Sequence, residues 1–313
     1  ITYFEILTAA FFYYAKNYKY NINLIESGLF HRFDATNILK NNLASVVTSI
    51  SKDHLDWLPK NQQTIEKIVY EKTSALLNSN IIISKQNSPN TTEIIKKTIS
   101  KNSSNKLFFN EDFSFSNGEN GFFYYEDKLG GLKLPQPNIL GQFQLENIST
   151  AIATLRLLDV GIKDSHIKNG ITKIENIARL QEIKSGKLKK LIGNNRLIID
   201  GGHNISASFS ISKWAKTQNE EVNLIIGMMK DKEHYEFVKS FETVVKSITL
   251  IDIPNNEEAI FKEDLKNKLN GIKIKFHLSD SIEESIKSFS TQDKTIILCV
   301  GSLYLCGEIL KLN

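Results

Sequence analysis

Arg196-Leu197-Ile198-Ile199-Asp200-Gly201-Gly202-His203-Asn204 is the stretch whose reading decides the fold. A short apolar run ends in an acid and two small residues, and His-Asn then opens a pattern with helical spacing over 204–217. That is strand, turn and helix in sequence. The same unit repeats downstream. Strands are expected at 196–200, 222–227, 247–252, 273–277 and 294–300, separated by helical patterns at 204–217, 231–241, 257–269 and 280–290. A last helix is expected at 303–311. So regular a βα alternation predicts a Rossmann-like domain built on a mostly parallel sheet.

Working towards the start, the spacing of Phe4, Leu7, Phe11, Phe12 and Ala15 predicts a helix over 4–16, buried on one broad face. Ile22–Glu26, 44–48 and 81–83 read as strands and 61–78 as a helix, so this half is α/β as well. Between 85 and 140 a peripheral helix and β-hairpins are expected, followed by helices at 143–158 and 164–173. The reading divides the chain into residues 1–176 and 177–313, since 313 residues exceed what one core usually organises.

Composition narrows the class. Hydrophobic residues make up 41% and charged residues 24%, which excludes a disordered chain. A net charge of +4 spread along the whole length suits anionic small molecules and gives no basic cluster for nucleic acid. The apolar run from Leu7 to Ala15 falls far short of the ~20 residues that span a bilayer. No basic segment precedes it, so a signal peptide is not expected. Cys299 and Cys306 form neither a disulfide framework nor a zinc motif, and read as small buried hydrophobes. These features predict a cytoplasmic protein with small-molecule partners, without nucleic acid or membrane.

Three polar clusters stand at the ends of expected strands. Glu26 leaves the first into Gly28-Leu29-Phe30-His31-Arg32-Phe33-Asp34-Ala35-Thr36-Asn37. It reads either as a ligand contact or as a helix cap or surface ion pair. Asp53-His54 follows the strand at 44–48; an imidazole there is structural or, together with a carboxylate, able to hold a divalent cation. Asp200–Asn204 places polar side chains beside helix N–H groups, suiting an anion or nucleotide, or else a simple turn with Asn204 as N-cap. No G-x-x-x-x-G-K-[ST] loop occurs in the sequence.

In this order the blocks resemble the folylpolyglutamate synthase/dihydrofolate synthase family of the Mur ligase superfamily. Thr2-Tyr3-Phe4-Glu5, Glu26 to Asn37, Asp53-His54-Leu55-Asp56-Trp57-Leu58 and Tyr70-Glu71-Lys72 carry the resemblance in the first half. Gly141 to Asn147, Arg179-Leu180-Gln181, Asp200 to Asn204, Gly227 to Lys232 and Gly301 to Tyr304 carry it in the second. The resemblance implies a Mur-ligase-type central ATPase domain followed by a Rossmann-like C-terminal domain. It implies an ATP- and Mg²⁺-dependent ligase that joins L-glutamate to dihydropteroate or a folate through an acyl phosphate. Negative charge then collects at the transferring phosphoryl group, where Mg²⁺ and cationic side chains must meet it.

Carried across residue by residue, Glu26 and His54 match Mg²⁺ ligands, and Lys72 a lysine that family members carbamylate. Asn147, Arg179 and Asp200 match ATP contacts, with His203 beside them as a second catalytic residue after Lys72. Thr2, Tyr3, Phe4 and Glu5 match a pteroate-contacting segment, and Asp34 the substrate loop.

The sequence departs from the family at several points. Phe30 and His31 stand where the family has paired glycines, and Asn176-Ile177-Ala178 where it has Trp-Pro-Gly. A longer hairpin is expected in 184–195. The chain opens at Ile1 without an initiator Met, in a block that follows the phosphate loop in the family. The first domain is therefore expected to be truncated, and activity of these residues alone impaired. Alternatives are a non-catalytic remnant, one half of an enzyme completed by a separately encoded phosphate-loop fragment, or a Mur-type ligase of peptidoglycan precursors.

Overall fold

The computed structural model describes residues 1–53, 55–290 and 294–313; His54 lies outside the described residues. The chain divides into two compact units, one of residues 1–136 and 146–169, the other of residues 137–145 and 170–313.

The first unit opens with α1 (Tyr3–Ala15). Three parallel strands follow, β1 (Ala44–Val47), β2 (Asn80–Ile83) and β3 (Lys106–Phe108), in the order β1-β2-β3. Helix α2 (Ile65–Thr73) connects β1 to β2, and α3 (Pro89–Thr98) connects β2 to β3. Ile68 and Val69 of α2, Ile95 of α3 and Ile81 and Ile83 of β2 are essentially inaccessible and form one core with Val47 and Phe108. A three-stranded antiparallel meander follows: β4 (Phe113–Asn117), β5 (Phe122–Asp127) and β6 (Leu132–Pro135). It is buried on one face only, since Phe123 and Tyr125 are covered while Tyr124 between them is exposed. Helices α4 (Gln142–Leu158) and α5 (Asp164–Ile171) complete the first half of the chain.

The second unit is a six-stranded sheet with flanking helices. In chain order its elements are β7 (Gln181–Ile183), α6 (Lys187–Leu191), β8 (Arg196–Ile199), α7 (Ile205–Lys216), β9 (Glu221–Ile226) and α8 (His234–Lys239). Then come β10 (Ser247–Leu250), α9 (Lys262–Lys268), β11 (Lys275–Leu278), α10 (Ile282–Lys287), β12 (Thr295–Val300) and α11 (Leu303–Leu312). The strand order is β11-β10-β9-β12-β8-β7, parallel except for the antiparallel pair β7–β8. The sequence shows why helices cover both faces. Ile198, Leu224, Ile226, Leu298 and Val300 pack with α7, α8 and α9, whereas Leu197, Ile199, Ile225, Ile297 and Cys299 pack with α6, α10 and α11. Successive side chains of one strand therefore feed opposite cores, which accounts for unbroken apolar runs instead of alternation.

The α/β class and the Rossmann-like second half agree with the sequence reading; four local readings do not. Residues 22–26 form no strand: Ile22 and Leu24 are exposed, and among the described residues no neighbouring strand completes a ladder with them. Glu26 thus leaves irregular chain, not a strand end. Helix α1 exists but is not buried on a broad face, since only Thr8 is fully covered and Tyr3, Ile6, Leu7 and Phe11 are exposed. Strand β3 was not expected, because its three residues give no periodicity to read. The span 184–195 holds the short helix α6 where a longer hairpin was expected; Gly186, with φ of +113°, precedes it, and Asn313 Oδ1 accepts from Leu188 N. Among the described residues, no helix is long and apolar enough to cross a membrane.

Candidate active site

In the first unit, α1 begins with a reciprocal cap. Thr2 Oγ1 accepts from Glu5 N at 3.2 Å, and Thr2 N donates to Glu5 Oε2 at 2.6 Å. The polar groups of Thr2 and Glu5 therefore build the helix start, and the Thr2 backbone N–H, the first of its hydrogen-bond partners, holds the Glu5 carboxyl below its ordinary range. Tyr3 is exposed, while the Phe4 ring lies over Gly28. A Cβ on Gly28 would come within 2.7 Å of that ring, so a larger residue here would push Phe4 aside. The fold thus brings the Thr2–Glu5 segment and the Gly28–Asn37 loop together.

Asp34 holds that loop closed. Its carboxylate accepts from Gly28 N and Leu29 N at 2.9 Å each, from Thr36 N at 2.9 Å and from Thr36 Oγ1 at 2.5 Å. Burial pushes its pKa up, but these four donors outweigh it and leave the carboxyl below its usual value. Asp34 organises the loop from within. The loop is also fastened to α2. His31 N and Arg32 N both donate to the Glu71 carbonyl, at 3.2 and 3.0 Å. Arg32 meets the Glu71 carboxylate twice, Nε to Oε2 and Nη2 to Oε1, each at 2.8 Å, and Lys67 Nζ reaches Oε1 at 2.8 Å. Arg32 above all, and Lys67 after it, hold the Glu71 carboxyl down at about 2 despite its burial. Ser27 Oγ lies 3.2 Å from His31 Nδ1. The sequence reading assigns no role to Arg32 or Glu71; two partners separated by 39 positions leave no local signal.

Lys72 follows Glu71 and is half-buried. Desolvation lowers its pKa, and the nearby Asp53 charge partly offsets this. Its Nζ lies 5.7 Å from the centre of the Phe30 ring. Phe30 adopts φ of +56°, a conformation that costs a bulky residue on the order of 1–3 kcal/mol and persists only where surroundings impose it. Glu26 is exposed beside this loop. Among the described residues, no group of three or more His, Cys, Asp or Glu gathers around a possible metal position. Mg²⁺ keeps several waters and takes one or two carboxylates together with phosphate oxygens, and Glu26 is a carboxylate open to solvent. Asn147 is exposed near the start of α4; beside it Glu146 pairs with Lys85 at 2.6 Å, and Thr150 Oγ1 donates to Ser84 Oγ at 2.9 Å.

In the second unit the remaining predicted residues converge at the C-terminal ends of β8, β12 and β9, where β12 is inserted between its neighbours. Ligands of parallel α/β sheets bind at such a crevice. Asp200 N donates to Cys299 O, Gly301 N to Gly202 O and Gly227 N to Val300 O, so the three loops are tied to one another. Asp200 is buried; its Oδ2 accepts from Leu180 N at 2.8 Å and its Oδ1 from Gly202 N at 2.7 Å. Burial raises its pKa against the pull of those two donors and of Arg179 and His203. Arg179 sits between Ala178 (φ +55°) and Leu180 (φ +44°), and its Nη1 would lie 3.0 Å from a Cβ at Gly201, the closer obstacle there being Leu303 Cδ2 at 2.2 Å. A side chain at position 201 would displace Leu303 and press on Arg179, which now lie across the loop.

His203 Nδ1 lies 3.1 Å from Gly201 O. A carbonyl only accepts, so Nδ1 carries a proton. Asn204 caps α7 through Ala207 N at 2.9 Å, as the simpler reading of this turn allowed. The loop after β9 adds Asp231, paired with Lys232 at 2.7 Å and close enough to His203 to feel its charge. The Gly227–Lys232 block was visible in the sequence, but only the sheet order shows which loop it adjoins.

Comparison with known proteins points to one family. Residues 184–312 match the family model described as dihydrofolate synthetase, C-terminal domain. The dihydrofolate synthase/folylpolyglutamate synthase of Bacillus subtilis is 25% identical over 331 residues, 99% of this chain and 72% of the relative. That of Haemophilus influenzae is 26% identical over 98% of this chain and 72% of its own length. E. coli FolC, solved with DHPP and ADP, superposes with a TM-score of 0.81 at 25% identity, covering 99% of this chain and 70% of that one. Along nearly its whole length the chain is similar to the dihydrofolate synthase/folylpolyglutamate synthase family.

This is a family of ATP-dependent ligases. A Mycobacterium tuberculosis member solved with ADP and AMPPCP matches all of this chain and 73% of its own, with a TM-score of 0.83 at 19% identity. A Yersinia pestis member was solved with AMPPNP and Mn ion. Both halves of the chain fall within these matches. The family resemblance read from the ordered blocks is thereby upheld.

Proposed function

We propose that the chain acts in an ATP-dependent ligase that adds L-glutamate to dihydropteroate, to folates, or to both. The observation that supports this most directly is the match to enzymes of that name, which runs through both units of the chain. A carboxylate is a poor acylating agent, and transfer of phosphate from ATP gives it a leaving group before the glutamate amine attacks. In this reading Thr2, Tyr3, Phe4 and Glu5, folded against Gly28, form one wall for the pterin-bearing substrate, with Asp34 shaping the loop opposite. Glu26 and His54 would hold Mg²⁺, which supplies positive charge at the transferring phosphoryl group. Lys72, carbamylated, would add a negative group at the metal. Asn147, Arg179, Asp200 and His203 would contact ATP. Arg179 supplies the cation, Asp200 locks the turn that presents it, and His203 Nε2 is the acceptor for a proton. The reading places the protein in the cytoplasm.

These residues hold no glycine-rich G-K-[ST] loop to cradle a triphosphate. The proposal includes, as its finer reading, dependence of turnover by these residues on a phosphate-loop segment supplied with them. The test is ATP- and glutamate-dependent product formation by the purified chain. It is offered dihydropteroate, tetrahydrofolate and a muramoyl substrate in turn, with and without a phosphate-loop fragment of a relative. Restored turnover on a pterin substrate is expected. Turnover on the muramoyl substrate, or none with the fragment bound, would overturn the assignment.

A further inference from the structure

Phe30 occupies a position where the family resemblance pairs glycine, and it does so in a left-handed conformation that glycine adopts without strain. The backbone therefore gives no reason for a ring at this point; the ring's surroundings do. It is half-buried against the core that contains Val47, Ile50, Ile68 and Val69, and its centre lies 5.7 Å from Lys72 Nζ, inside the range of a cation–π contact. The next two residues are fixed immediately beside Lys72. His31 N and Arg32 N bind the Glu71 carbonyl, and the Arg32 guanidinium binds the Glu71 carboxylate through two hydrogen bonds. A loop anchored so close to the lysine has little freedom to swing its aromatic residue aside.

We propose that Phe30 is a positioning residue for Lys72 in its unmodified form, a fixed aromatic cover that holds the free amine under its ring and closes the approach that a glycine loop would leave open. Arg32 and Glu71 form the brace that keeps the cover in place. The inference rests on the ligase reading only for the importance of Lys72; the cover itself is a matter of geometry.

Accessibility of the amine tests it without substrate. The full chain is pulsed with limiting acetic anhydride, and acetylation of Lys72 is quantified by peptide mass spectrometry against the exposed Lys97 in the same molecule. Removing the ring in Phe30→Gly and Phe30→Asn is expected to raise the Lys72 to Lys97 ratio roughly threefold to thirtyfold, the range of one cation–π contact. Phe30→Tyr keeps a ring and should label like the parent. Asn tolerates left-handed backbone, so Phe30→Asn decides the matter should glycine loosen the loop. Hydrogen exchange at the Arg32 amide shows that the brace is intact in each variant. An unchanged ratio in Phe30→Asn with that amide still protected overturns the proposal, as does a rise in Phe30→Tyr equal to that in Phe30→Asn. No ATP, folate or glutamate is present, so failure of the ligase assay and failure of the labelling experiment are distinguishable.

Discussion

Replacing Glu71 with Gln removes one charge from the point where the loop of residues 28–37 is fastened to α2. The size of the effect follows from the surroundings. A carboxyl held at about 2 in place of 4.5 corresponds to a ceiling of ~3.4 kcal/mol at neutral pH. Glu71 is 8% exposed, but Arg32 and Lys67 keep 29% and 28% of their side-chain surface in solvent, where screening reduces what each contributes. Partly buried pairs of this kind lie between the exposed and fully buried limits, so ~1–3 kcal/mol is expected. Hydrogen exchange at the His31 and Arg32 amides reads the loss locally. This matters because a chain of two units need not melt in one step. About 2 kcal/mol corresponds to roughly thirtyfold faster exchange in Glu71→Gln at pH 7. The sign with pH is fixed by the direction of the shift. A depressed carboxyl contributes stability above its unfolded pKa and loses it as pH falls through its folded value. The gap between parent and variant should therefore be full above about pH 4.5 and close towards pH 2. Equal exchange in parent and variant at pH 7, or a gap that persists unchanged at pH 2, would refute the reasoning.

Three further outcomes follow from the same structure. Thr2→Ala removes the side-chain half of the α1 cap and should cost ~1 kcal/mol, read as faster amide exchange in Glu5 to Leu7. Gly201→Ala places a methyl group 2.2 Å from Leu303 Cδ2 and against Arg179; binding of an ATP analogue, followed by thermal shift, should be lost while circular dichroism remains that of the parent. Asn223 bridges two strands inside the second unit, donating to Thr295 Oγ1 at 2.8 Å and accepting from Ser247 Oγ at 2.7 Å. Asn223→Ala takes the acceptor from Ser247 Oγ and leaves Thr295 Oγ1 only its bond to Glu221 O, and should destabilise that unit by ~1–3 kcal/mol in urea unfolding followed by Trp214 fluorescence.

What the sequence discloses and what it withholds have separate physical causes. The strands at 196–199, 221–226, 247–250 and 295–300 were legible because a sheet covered on both faces needs unbroken apolar runs, and such runs are hard to mistake. Ile22–Glu26 has the composition of a strand and is none, since a strand is defined by the partner that completes its hydrogen bonds and no window of five residues contains that partner. Helix α1 shows the same limit for burial. Its spacing predicts the helix correctly, but which face is covered depends on what lies opposite.

The site divides along the same line. Asp200, Gly201, Gly202 and His203 are consecutive, so their chemistry could be read before their geometry was known. Arg32 and Glu71 could not be read that way, although their pairing fastens the loop beside Lys72. Asp34 illustrates the difference within a single loop. The family resemblance places it in the substrate loop, and four donors of its own loop occupy its carboxylate. A carboxylate so engaged contributes to a site by fixing the shape of the backbone around it, because releasing even one donor to a ligand would leave an N–H of the loop without its acceptor. Phe30 is the counterpart. Nothing in its composition suggests function, yet the cost of its left-handed backbone is offset only where neighbouring groups hold it, and those neighbours are Glu71 and the core beneath Lys72. In this loop the polar residue builds and the apolar residue covers, the reverse of what residue type alone implies.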